Sequence, residues 1–263
     1  MNDGIDHTTP ETYRRNGLVD FRMILSRFPV TYGTIGFTVV VFIFQWLGAY
    51  INGNGVVCGQ GDVICQAGAK INQAITAGEI WRFVSPIFIH VDIWHILVNM
   101  YSLYAVGPSV EMFYGKQRTA IVYLLSGISG VAFSLAFNSY VSVGASGAIF
   151  GIVGALALFL FRHRHIFGAV AKNQLQRIIF IIFLNLMLGT SAMIDNWGHI
   201  GGLLGGIFIG WLIGPQWERV HTLEQPNRLV DKRPWKDVRV NALFAVAVVV
   251  FVCFAATFSP FNQ

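Results

Sequence analysis

The apolar residues of the chain come in blocks long enough to cross a bilayer, not in the short periods of an amphipathic soluble fold. A hydrocarbon core about 30 Å thick takes roughly 20 helical residues to span. Seven blocks qualify as candidate spans: residues 32–51, 93–113, 119–137, 146–161, 178–193, 197–213 and 242–258. The last four are short. A helix of about 16 residues at ~1.5 Å each reaches only roughly 24 Å, so each short span either starts below the membrane surface or is extended by residues that look like loop. Non-helical backbone at that depth is tolerated only against protein or water. The pattern predicts an all-α, polytopic helical membrane protein.

Composition agrees with lipid as the solvent. Charged residues make up 12% of the chain and hydrophobic ones 54%, against about 25% charged in an ordinary soluble domain. The net charge of +5 would suit a nucleic-acid partner, but its placement argues for topology instead. Four Lys and Arg precede the first span, two lie between the second and third, four between the fourth and fifth, and six between the sixth and seventh, placing 16 of the 18 on one side. Only Lys70 and Arg82 lie on the other. The positive-inside rule makes the heavy side cytoplasmic. The expected topology is therefore an N-terminus inside, a C-terminus outside, one sizeable external loop at 52–92 and no nucleic-acid partner. Residues 1–16 are polar and show no secretory signal, so the first span is expected to be a retained signal anchor.

Cys58 and Cys65 fall in the external loop, where they either pair in an oxidising compartment or stay as thiols. Cys253 falls in the last span as a small packing residue. No internal repeat is visible.

Three polar clusters interrupt the apolar spans. The fourth opens with Gly144-Ala145-Ser146-Gly147, and a serine at a helix start has its hydroxyl among unsatisfied N–H groups and at the positive end of the dipole. The same placement also describes a plain N-cap or a small packing residue. The sixth opens with Asp195-Asn196-Trp197-Gly198-His199 and continues through Gly201-Gly202 and Gly205-Gly206. An ionisable group inside a span is costly and is a functional candidate, although a membrane histidine also serves packing or proton relay. Glycines on both spans would let Ser146 and His199 meet at the ~3 Å that general-base activation needs. Phe150, one turn after Ser146, can stack on the imidazole.

The second span carries His95 and Asn99 four residues apart on one face, preceded by His90. They can be two oxyanion donors, a structural pair or part of a metal site. With no cysteine or well-placed carboxylate among these segments a closed metal shell is hard to assemble, and no metal is expected.

Taken together, these motifs resemble the rhomboid proteases: Trp81-Arg82, the spacing His90…His95…Asn99, Gly107-xxx-Glu111-xxx-Gly115, Gly144-Ala145-Ser146-Gly147 and His199-xx-Gly202-xxx-Gly206. The resemblance covers spans two to six. It implies an intramembrane serine endopeptidase with a Ser146–His199 dyad and no cofactor. It also implies an oxyanion site of His95, Asn99 and the Ser146 N–H, and transmembrane segments of other membrane proteins as substrates within the lipid bilayer. Phe150 stands where the family often has Tyr, which keeps the ring and loses the hydroxyl. Glu111 falls at the family's structural position, tying helix to loop, and Asp195 is expected to cap a helix and not to complete a triad. The implied organisation is a cytoplasmic tail at 1–30, a six-helix core at 31–214, a basic cytoplasmic loop at 215–239 and a seventh helix at 240–263. The expected location is a bacterial plasma membrane. Two rivals remain: a catalytically dead relative that binds membrane clients, and a small transporter, which would predict inverted repeats. Substrate identity and oligomeric state are not legible.

Overall fold

The structure, a computed structural model, describes residues 26–52, 55–188, 194–220 and 228–262. It is a helical polytopic membrane protein, as the apolar blocks predict. Its long helices are α1 (Pro29–Ile51), α4 (Ile93–Tyr114), α5 (Lys116–Phe137), α6 (Ser146–Arg162), α7 (Arg164–Leu188), α8 (Asn196–Ile213) and α9 (Trp235–Ala256). Two short helices, α2 (Val63–Gly68) and α3 (Asn72–Thr76), lie in the loop after α1. By length and composition α1, α5, α7 and α9 can each cross a membrane, whereas α6 is apolar but short. α4 and α8 do not reach that mark because His95, Asn99 and Glu111 on one and the glycines on the other dilute their apolarity.

The short spans divide as the geometry requires. α7 begins 14 residues before the expected start, passing through a left-handed break at Gly168 (φ 53°), and α9 takes in Lys236 and Arg239 at its start. α6 and α8 stay short, at 17 and 18 residues. The last residues of the expected fifth span, 189–193, and most of the expected tail, 1–25, lie outside the described residues. The loop expected at 215–239 holds a two-stranded antiparallel hairpin, β1 (Trp217–Val220) with β2 (Arg228–Asp231), before α9 begins.

Helices α5, α6 and α8 pack most extensively on one another, and glycine makes that possible. A methyl group added at Gly202 would fall on the carbonyl of Gly147, and one at Gly206 on the carbonyl of Gly151. Small residues on facing helices are how membrane helices approach when no hydrophobic effect drives them together. Large side chains point outward instead: Phe37, Phe44, Phe180, Phe183 and Phe251 are all exposed, which suits lipid as the surrounding solvent.

Buried polar contacts anchor the ends. Glu111 on α4 accepts from the backbone N–H groups of Val30 and Thr31, both at 2.9 Å, and from the Thr31 hydroxyl at 2.8 Å. It thereby satisfies N–H groups at the first turn of α1 that have no intrahelical partner. At that same end of the bundle Arg118 pairs with Asp231 at 2.8 Å, and His163 accepts from the Trp217 N–H at 3.0 Å, fastening the hairpin to α5 and α6.

Candidate active site

At the other end, the loop between α1 and α4 is held by three devices. Cys58 and Cys65 form a disulfide, the pairing that their spacing left open. Asp62 between them caps α2 through the Cys65 N–H at 3.0 Å and also accepts from the Cys58 N–H at 2.9 Å. Cys58, Asp62 and Cys65 lie close enough to hold a metal, but both sulfurs are committed to the disulfide and the carboxylate already accepts from Gln45, Cys58 and Cys65. Arg82 pairs with Glu79 and donates to the carbonyls of Ala69 and Gln66, while the Trp81 indole donates to Ala67. Trp81 and Arg82 therefore brace the loop without reaching the serine.

Ser146 is the first residue of α6, preceded by Gly144 in a backbone conformation (φ 128°) that side chains rarely adopt. A Cβ at Gly144 would also press on the His95 ring, 2.8 Å from Nε2, so this glycine is what lets the serine turn and the histidine share one wall. On α8, Asp195 caps the helix by accepting the Gly198 N–H at 3.0 Å, which presents His199 in the first turn. The His199 Nε2 lies 2.9 Å from the Ser146 Oγ. The Phe150 ring stacks on the imidazole with centroids 4.4 Å apart and planes 10° from parallel. The His199 Nδ1 has no hydrogen-bond partner among the described residues, so Asp195 caps the helix without hydrogen-bonding the ring.

His95 and Asn99 sit on α4 facing the same space. The Asn99 amide donates to the His95 carbonyl at 2.9 Å, keeping one of its two N–H bonds for another acceptor. A cavity of about 470 Å³ opens between α4, α6 and α8, and Ser146, His199, His95, Asn99, Gly144 and Phe150 all line it. Gly147 and Gly202, next to Ser146 and three residues past His199, form a close contact between α6 and α8. Glu111 lies at the far end of α4, remote from the chemistry.

One residue of this neighbourhood escaped the sequence reading, and the contacts of another were not visible in it. Gln45, an amide in an otherwise apolar span, donates to Asp62 at 2.9 Å and to the His90 carbonyl at 3.2 Å, and accepts the His90 N–H at 3.1 Å. His90, read only as part of the spacing, packs its ring 5.0 Å from that of His95 and accepts the Ala145 N–H at 3.5 Å. Burial, with His95 beside it, lowers its pKa to about 3. The ring is neutral at pH 7 and so retains a lone pair for the amide that precedes the serine. A polar residue in the middle of an apolar block was the signal for Gln45.

The chain is similar to known proteins over its helical core. The chain is 44% identical over 148 residues to the rhomboid protease GluP of Bacillus subtilis (strain 168), covering 56% of this chain and 29% of that protein. It is 38% identical over 177 residues to RHOMBOID-like protein 2 of Arabidopsis thaliana, covering 65% and 54%, and 37% identical over 160 residues to RHOMBOID-like protein 1 of the same plant, covering 60% and 41%. The chain thus spans from under a third to about half of the length of these relatives. The Rhomboid domain model matches residues 77–216, just over half of the chain and the segment holding the serine, both histidine-bearing helices and the cavity between them; the chain belongs to the rhomboid family.

Proposed function

We propose that this protein is an intramembrane serine endopeptidase that cleaves transmembrane segments of other membrane proteins through a Ser146–His199 dyad. The observation that carries the reading is the 2.9 Å contact between the Ser146 Oγ and the His199 Nε2 in the wall of a cavity. Family membership and the likeness to a protease support it.

In this mechanism the neutral His199 takes the hydroxyl proton as Ser146 Oγ attacks a peptide carbonyl. The oxyanion rests on the free N–H of Asn99, a ring N–H of His95 and the Ser146 backbone N–H. His199 then gives its proton to the departing amine, the C–N bond breaks and an acyl-enzyme remains. Water, deprotonated by the same imidazole, releases the carboxyl product. The substrate helix must unwind locally, because its intrahelical hydrogen bonds shield the scissile carbonyl.

The distribution of cations supports an orientation with the α1 start and the hairpin in the cytoplasm. The dyad then opens toward the outer face of a bacterial plasma membrane, and the C-terminus lies outside. In this organisation 31–214 is the catalytic core, 1–30 and 215–239 are cytoplasmic, and 240–263 is an added span.

The test is cleavage of a single-span model substrate in liposomes, read by mass spectrometry, with wild type beside Ser146→Ala. Wild type should cut at one site within or beside the span and the variant should not. Equal cleavage by the two would dismiss Ser146 as the nucleophile, and no cleavage by either would favour a client-binding relative.

A further inference from the structure

Lys70 is a cation on a segment that carries no catalytic residue, yet it is completely buried, at 0% exposure. An ammonium taken out of water costs stability unless every donor is answered, and an apolar side chain of the same length would fill the space more cheaply. Its Nζ donates to the carbonyls of Asn138 at 2.7 Å and Tyr140 at 2.8 Å. Its backbone pairs with Ser142 in both directions, N–H to O at 2.9 Å and O from N–H at 3.2 Å. One residue therefore grips the segment 138–142 at three points, and that segment runs directly into Gly144 and Ser146.

The same segment reaches the other half of the dyad. The Asn138 amide donates to Asp195 Oδ1 at 3.4 Å, and Asp195 caps the helix that presents His199. The mounts of serine and histidine thus converge on one loop, which a buried charge fastens from the outside, with the Asn72 amide donating to the same Asn138 carbonyl at 3.1 Å.

We propose that Lys70 is a positioning residue for the hydrolysis: its ammonium, through the carbonyls of Asn138 and Tyr140, holds the loop that sets the Ser146 turn and the Asp195 cap in register. This rests on the reading of Ser146 and His199 as the dyad. The role is distinct from bracing the fold as Arg82 does, because Arg82 binds only its own loop and is paired with Glu79.

Burial lowers the Lys70 pKa to about 8, opposed by the charge of Asp195, the ionised group acting on it across the loop. The sign gives a test that separates positioning from folding. Below about pH 8 the ammonium is present. Above it the neutral amine keeps only weaker hydrogen bonds, since charge-assisted ones are about twice as strong. Between about pH 8 and the ordinary lysine value the unfolded chain binds the extra proton, so fold stability through this group rises with pH. An alkaline loss of rate caused by Lys70 must therefore come without any loss of thermal stability.

The experiment measures kcat and KM on the model substrate, and the rate of Ser146 labelling by a fluorophosphonate, from pH 6.5 to 9.5 for wild type and Lys70→Met. Thermal midpoints are taken alongside. Wild type should lose at least threefold in kcat and labelling rate with a midpoint near pH 8, reversibly and without a lower thermal midpoint. Lys70→Met should be at least tenfold slower at pH 7 with KM within twofold and no alkaline fall. The proposal is overturned if the variant keeps wild-type kcat or the alkaline limb. Should the variant fail to fold, wild type alone decides: a labelling rate that is flat across pH 8, or one that falls only as the protein unfolds, overturns it. No Ser146-dependent reaction at any pH would instead remove the dyad reading itself, leaving nothing to position.

Discussion

At the scale of single residues, the proposed mechanism separates groups that react from groups that aim them. The His199 ring is fixed by the stacked Phe150 and by its bond to Ser146, with no carboxylate behind it. The oxyanion side offers hydrogen-bond donors of its own. Asn99 has committed one amide N–H to its own helix and retains one. A single oxyanion donor is worth about 10²–10³ in kcat in soluble proteases. Asn99→Ala should accordingly lower kcat by about 10²-fold with little change in KM, read from steady-state cleavage of the model substrate. An unchanged kcat would remove Asn99 from the oxyanion site. Much of this was legible beforehand, because serine, histidine and asparagine are conspicuous in apolar helices. Gln45 and Lys70 were not, because their importance lies in which groups they meet across the fold. No local pattern encodes that the Lys70 ammonium ends on the carbonyls of residues 138 and 140.

At the scale of elements, the contact between Ser146 and His199 depends on how closely α6 and α8 approach. Gly202 and Gly206 lie directly against the carbonyls of Gly147 and Gly151, so a side chain at either position must push two helix backbones apart. Overpacking costs about 1–3 kcal/mol, occasionally more. Gly202→Ala should lower the thermal midpoint in detergent and reduce activity together. Gly36→Ala on α1, where an added Cβ meets nothing within 4 Å, should be neutral or slightly stabilising, since alanine is about 1 kcal/mol better than glycine inside a helix. Equal effects at the two positions would contradict the packing account. The glycine runs announced this contact in the sequence, but the helix ends were less legible. α7 starts early because Arg164, Lys172 and Arg177 can occupy helical turns near one end of the bundle, where hydropathy alone reads them as loop. The hairpin was missed because β1 and β2 are only four residues each and mix apolar with charged positions.

At the scale of the whole molecule, two ends of one bundle do different work. One end is tied by Glu111 to the start of α1 and by Arg118 and His163 to the hairpin. The other carries a cavity walled by α4, α6 and α8 and roofed by a disulfide-braced loop. The outer faces of α1, α7 and α9 are apolar, so the chemistry is enclosed in protein while the exterior meets lipid. The central claim is that Ser146 is activated by His199 inside this bundle, and covalent capture tests it most directly. Purified protein in detergent is treated with a fluorophosphonate and the adduct is mapped by peptide mass spectrometry, for wild type and His199→Ala. The account predicts one adduct, on Ser146, formed in wild type and slowed by at least about 10³-fold in the variant, as for removal of a member of a catalytic unit. An adduct on another residue, or labelling of Ser146 at the same rate without the histidine, would contradict it.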